Sequence, residues 1–126
     1  TIRALEQADV VVAVGSADPL GLTRLTRGIH ELRDRVPDLD IRVVVNRMRD
    51  SLGWSEDQIA GTVERFAGPT PIGFLPNDQA AVDRAWVDGT TLAEGRDSAL
   101  RRAIGELATA LLGTERQRQK RFSRRR

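Results

Sequence analysis

The sequence predicts an α/β domain built as a partial three-layer parallel sheet flanked by helices. Two observations carry this. Three short apolar runs, residues 9–15, 41–46 and 72–75, alternate with longer segments of helical periodicity. That order is the one that builds a parallel sheet through right-handed crossovers. The first two runs are also apolar at consecutive rather than alternate positions, as in DVVVAVG and IRVVV. That is the pattern of strands covered on both faces. A chain of 126 residues is one domain at most, long enough to bury roughly two-thirds of its unfolded surface.

The elements follow in order. TIRALEQAD reads as the end of a helix, and the chain opens at Thr1 without Met, so it is taken as a piece of a longer protein. The first strand follows. Asp18-Pro19 is a helix start, because proline fits the first turn, and Leu22, Leu25, Ile29, Leu32 and Val36 then form one apolar stripe. Pro37-Asp38 breaks the helix before the second strand.

Ser55 with Gln58 three residues on is a capping box for a helix reaching about Phe66, and Gly68-Pro69 breaks it. The short third strand leads to Asp78, a helix cap, with a turn at Asp88-Gly89. Asp97 or Ser98 caps a last helix with Leu100, Ile104, Leu107, Leu111 and Leu112 inward, and Gly113 marks its end. Residues 1–113 are thus the folded part and 114–126 a basic, disordered tail. The last twelve residues, ERQRQKRFSRRR, carry net +6 against +2 for the whole chain, which leaves −4 for the rest. The cations are Arg116, Arg118, Lys120, Arg121, Arg124, Arg125 and Arg126. Such a terminus suits a polyanion, either nucleic acid or an anionic membrane; a solubilising role is the plain alternative.

Several chemistries are disfavoured. There is no cysteine and one histidine, His30, which argues against a catalytic triad or a transition-metal site. His30 lies off the apolar stripe and is expected to face solvent. Trp54 and Trp86 are expected to pack. A phosphate-binding P-loop needs a glycine-rich turn ending in Gly-Lys-Ser/Thr, but the one lysine is Lys120. This chain alone should not hydrolyse ATP.

The candidate site lies where two strands end. The second strand delivers Asn46 and Arg47, and the third delivers Pro76, Asn77 and Asp78. In open parallel sheets, ligands sit beyond the carboxyl ends of the strands. A carboxamide offers both a donor and an acceptor, as the edge of adenine does. Guanine readers place an Asp two residues after the cation that follows such an Asn; here that place is Arg49, so adenine is preferred. Asn46 also reads as a simple turn residue closing a strand, and Asp78 as a cap alone.

Five segments in this order resemble the carboxyl-terminal half of the MinD/ParA-like P-loop ATPases. They are ADVVVAVGSADPLGLT, RVVVNRMR, PIGFLPND, AAVDRAWVDGTTL and the helix over residues 98–112. The resemblance implies that Asn46 bonds adenine, that Arg47 packs by the base or ribose, and that the backbone of Pro76, Asn77 and Asp78 lines the other side. It places Asp18 at a dimer interface. The family's usual proline before that acid is Ala17 here, and Gly21 replaces a common Ser or Thr.

The resemblance further implies ATP and Mg as cofactors, with the magnesium ligands and phosphate loop outside this chain. It implies a missing amino-terminal half as partner, an ATP-dependent homodimer, and a cytoplasmic protein that places cargo at a nucleoid or membrane surface. On that view the complete protein is an ATPase, while this piece alone exposes an apolar sheet edge and is unstable or aggregates. A non-catalytic scaffold of the same fold, with a basic tail that binds DNA or an anionic membrane, is the alternative. A tyrosine kinase of the same P-loop class is a third reading, set against the absence of any tyrosine.

Overall fold

The computed structural model describes residues 1–125, apart from the side chains of Thr114, Glu115 and Arg118. The elements are α1 (Ile2–Gln7), β1 (Val11–Ser16), α2 (Pro19–Arg35), β2 (Ile41–Met48), α3 (Glu56–Ala67), β3 (Pro71–Pro76), α4 (Gln79–Asp88) and α5 (Ala99–Arg124), with a short 3-10 turn at Asp50–Leu52. They divide into two compact units, Thr1–Asn77 and Asp78–Arg126.

The first unit holds the sheet, in the order β1-β2-β3 and parallel throughout. Strands β1 and β2 pair in unbroken register from Val11 opposite Ile41 to Ser16 opposite Asn46. The β2–β3 pairing is irregular in two places, between Val43 and Val44 and between Val45 and Met48. Helices α2 and α3 cover one face, where Leu22, Leu25, Ile29, Ile59 and Val63 form the core with Ile41, Val43 and Val45. Strand β2 is the buried centre: Val43, Val44 and Val45 are each fully enclosed. The expectation that β1 is apolar on both faces holds for its residues, but Val12 is 38 % and Val14 57 % exposed.

Local signals act as expected at the helix starts. Asp18 accepts the Gly21 N–H at 2.9 Å, and Ser55 and Gln58 form the reciprocal capping box of α3. The far end of α3 is closed from outside. His30 Nε2 donates to the Phe66 carbonyl at 2.7 Å, and Arg33 Nη1 donates to that of Ala67 at 2.6 Å. Both side chains come from α2, and both serve carbonyls that a helix terminus leaves without a partner. Gly68 follows at φ 99°, and a Cβ there would meet Arg33 Nη1 at 3.0 Å. The positive φ favours glycine, and a larger residue would also press on the Arg33 side chain. His30 is exposed as expected, but it has a structural partner.

In the second unit Asp78 caps α4, accepting from Ala81 N–H at 3.2 Å, and α4 ends at Gly89. Trp86, expected to pack, is instead 85 % exposed. Ser98, not Asp97, caps α5 by accepting from Arg101 N–H at 3.1 Å. The expected helix end at Gly113 is corrected: α5 runs through it to Arg124. A single glycine costs a helix only about 1 kcal/mol, and the Gln, Arg and Lys residues after it are good helix formers.

Candidate functional site

The carboxyl end of the sheet is built by the way β2 stops. Between Val45 opposite Phe74 and Met48 opposite Pro76, β2 spends three residues where β3 spends two. Asn46 and Arg47 are therefore a β-bulge, a device that re-aims side chains and is common beside active sites. Arg47 is the one non-glycine residue with positive φ, at 58°, among the described residues. That conformation costs a residue with a Cβ roughly 1–2 kcal/mol, and such outliers persist only where surrounding contacts hold them.

The contacts are present. The Ala17 N–H donates to the Asn46 carbonyl at 2.9 Å, and the Asn77 N–H donates to the Met48 carbonyl at 2.9 Å. Between these, the Arg47 N–H donates to Asn46 Oδ1 at 2.8 Å. Arg49 Nη1 donates to the Arg47 carbonyl at 3.2 Å. The bulge thus has its backbone held on both sides. The Asn46 side chain spends its oxygen on its own neighbour, and its amide nitrogen remains the group suited to a ligand. Asn46 is partly buried, and Arg47 and Asn77 are exposed.

Asp18 lies at the head of α2, just after β1. Its carboxyl titrates below its ordinary value, chiefly because Ser16 and the Gly21 N–H hydrogen-bond to it, with the positive charge of Arg49 adding to the effect. Gly21 itself has a reason here. A Cβ on it would lie 2.5 Å from the Ser16 carbonyl oxygen and 2.6 Å from Ser16 Cβ. Ala17 is fully buried and uses its N–H on Asn46, a bond that proline cannot make. Both residues therefore fit the geometry of this loop.

The structure brings together Asn46, Arg47, Pro76 and Asn77 of the predicted set, through the β2–β3 pairing and the Asn77–Met48 hydrogen bond. Asp78 opens the other compact unit, where its carboxylate caps α4. Of the tail cations, Arg116, Lys120, Arg121, Arg124 and Arg125 are exposed. The side chain of Arg118 and all of Arg126 lie outside the described residues. Among the described residues no group of three or more His, Cys, Asp or Glu is placed to hold a metal ion, and no helix is long and apolar enough to cross a membrane. Sequence reasoning missed the bulge and the role of Arg49. Neither has a residue signature, because a left-handed arginine looks like any other arginine in a sequence.

No family model matches the chain, and no curated protein matches it. Solved structures do. One is the MinD cell division protein of Aquifex aeolicus, at a TM-score of 0.72 and 21% identity. The match covers 87% of this chain but 46% of that one, so the chain spans less than half the length of the protein it resembles. The three parallel strands of this chain, flanked by helices, are an α/β arrangement. In its fold, this chain is similar to part of MinD.

Proposed function

We propose that the chain is the adenine-nucleotide-binding half of a MinD/ParA-like ATPase, a cytoplasmic protein that positions cellular cargo through an ATP-dependent switch between monomer and dimer. The observation that carries this reading is the Asn46-Arg47 bulge at the carboxyl end of β2, held in a left-handed conformation where parallel sheets bind ligands. The Asn46 amide nitrogen donates to a ring nitrogen of the base. The Arg47 guanidinium lies by the base or ribose, and the backbone at Pro76 and Asn77 frames the other side. Arg49 disfavours guanine, because a cation there repels the N1 and N2 protons that an acid would accept.

The residues present fit a base and not a triphosphate. No Gly-Lys-Ser/Thr turn occurs, and the sole lysine is Lys120. The phosphate loop and magnesium ligands belong to the other half of the protein, and ATP bound across both halves brings two copies together near Asp18. The reading is tested by titrating the intact protein with a fluorescent ATP analogue, competed by ATP or GTP. Asn46→Ala should weaken ATP at least tenfold, and ATP should compete better than GTP. Equal affinity for wild type and Asn46→Ala would overturn the assignment.

A second reading is a non-catalytic scaffold of the same fold. It draws on the helical basic segment, whose described cations are exposed on α5. Deleting residues 114–126 should abolish binding to DNA or to anionic vesicles, and the binding should fall steeply with salt. No loss in either assay removes the tail from the function.

A further inference from the structure

We propose that Arg49 is a positioning residue for the base site, one that holds the Asn46-Arg47 bulge in shape by hydrogen-bonding the Arg47 carbonyl. The inference rests on reading this corner as a purine-base site. The argument begins with what is left unfixed. The sheet and its flanks hold the Asn46 carbonyl through Ala17 and the Met48 carbonyl through Asn77. The two polar backbone groups of Arg47 itself have side-chain partners instead. Asn46 Oδ1 takes its N–H, and Arg49 Nη1 takes its C=O.

A left-handed residue that is not glycine reverts to extended backbone when such supports are removed. Reversion at Arg47 would also carry away the N–H that orients the Asn46 carboxamide. The base-reading amide is therefore set by Arg49 at one remove. Arginine suits the task better than lysine, since its planar fork can hold a carbonyl with one nitrogen and keep others for a carboxylate. Asp18, at the head of α2, carries the opposite charge; its carboxyl pKa is lowered chiefly by Ser16 and the Gly21 N–H, with Arg49 the smallest contribution. The ligand class follows from the donor that remains: with Asn46 Oδ1 engaged, its amide nitrogen calls for an acceptor on the base, as a purine ring nitrogen provides.

The experiment measures ATP affinity by calorimetry on the intact protein as wild type, R49A, R49K, R47G and R47G/R49A, with circular dichroism to verify folding. R49A should bind about tenfold more weakly, the scale of one charge-assisted hydrogen bond. R49K, which keeps a donor, should recover to within about threefold of wild type. Glycine at position 47 adopts the left-handed conformation unaided, so R49A should change affinity less than about twofold in the R47G background. A merely electrostatic role for Arg49 would give the same loss in both backgrounds, and that result, or no loss in R49A, overturns the inference alone. A folded wild type that binds no ATP overturns the base-site reading and this inference with it.

Discussion

Strands β1 and β2 have nearly the same composition and opposite fates. Each is a run of valines, VVAVGS in one and IRVVVNRM in the other. Yet Val43, Val44 and Val45 are fully buried while Val12 and Val14 remain exposed. The difference is position: β2 lies between two partners and β1 has one. A run of β-branched residues therefore says that a strand suits an interior, not that this chain supplies the interior. Edge strands left open with apolar side chains are sites of association.

The sharpest way to break the comparison is to place a charge in each strand. Val44→Asp should cost about 4 kcal/mol or more and abolish a cooperative denaturant transition, because a buried carboxylate without a partner is among the most costly changes a core can suffer. Val14→Asp should fold normally.

Next in size is the joint between β1 and α2. Gly21→Ala should destabilise by about 1–3 kcal/mol in urea titrations, since its Cβ would press on the Ser16 carbonyl, which is backbone and cannot swing aside. Asp18 contributes less and in a pH-dependent way. Its folded pKa lies below the usual 3.8, so folding favours the ionised form. That contribution is complete above about pH 4 and is lost as pH falls through the folded value. An acid titration of stability should show this limb in wild type and lack it in Asp18→Asn. The smallest effect belongs to the β1 surface. Val14→Thr should change stability by less than about 0.5 kcal/mol while reducing association measured by light scattering. An increase in association would mean that the open face of β1 is not the sticky one.

Much of the first unit was legible because its signals are local. The Ser55/Gln58 box, the Asp18 cap and the α2 stripe each depend on residues within a turn or two, as does the Asp78 cap in the second unit. The strand-end position of Asn46, Arg47, Pro76 and Asn77 was legible for the same reason, since apolar runs stop where polar residues begin. The bulge was not, because it is a mismatch of count between two strands about thirty residues apart. The partners of His30 and Arg33 were hidden likewise, as tertiary hydrogen bonds leave no mark on helical periodicity. Trp86 misled because an aromatic residue is ordinarily read as core, and Gly113 because a glycine ends a helix only when the chain turns there.

The link that α2 makes to the last turn of α3 has a consequence for motion. His30 and Arg33 grip the Phe66 and Ala67 carbonyls, so α3 cannot fray at that end without also losing contacts on α2. Helix α2, about 25 Å long at 1.5 Å per residue, begins at Asp18 beside the strand ends. The two helices should open as one cooperative unit in native-state hydrogen exchange, with matched protection for their closing turns. A disturbance at Asp18 would then register at the far end of α2 as a change in the exchange of the last turn of α3.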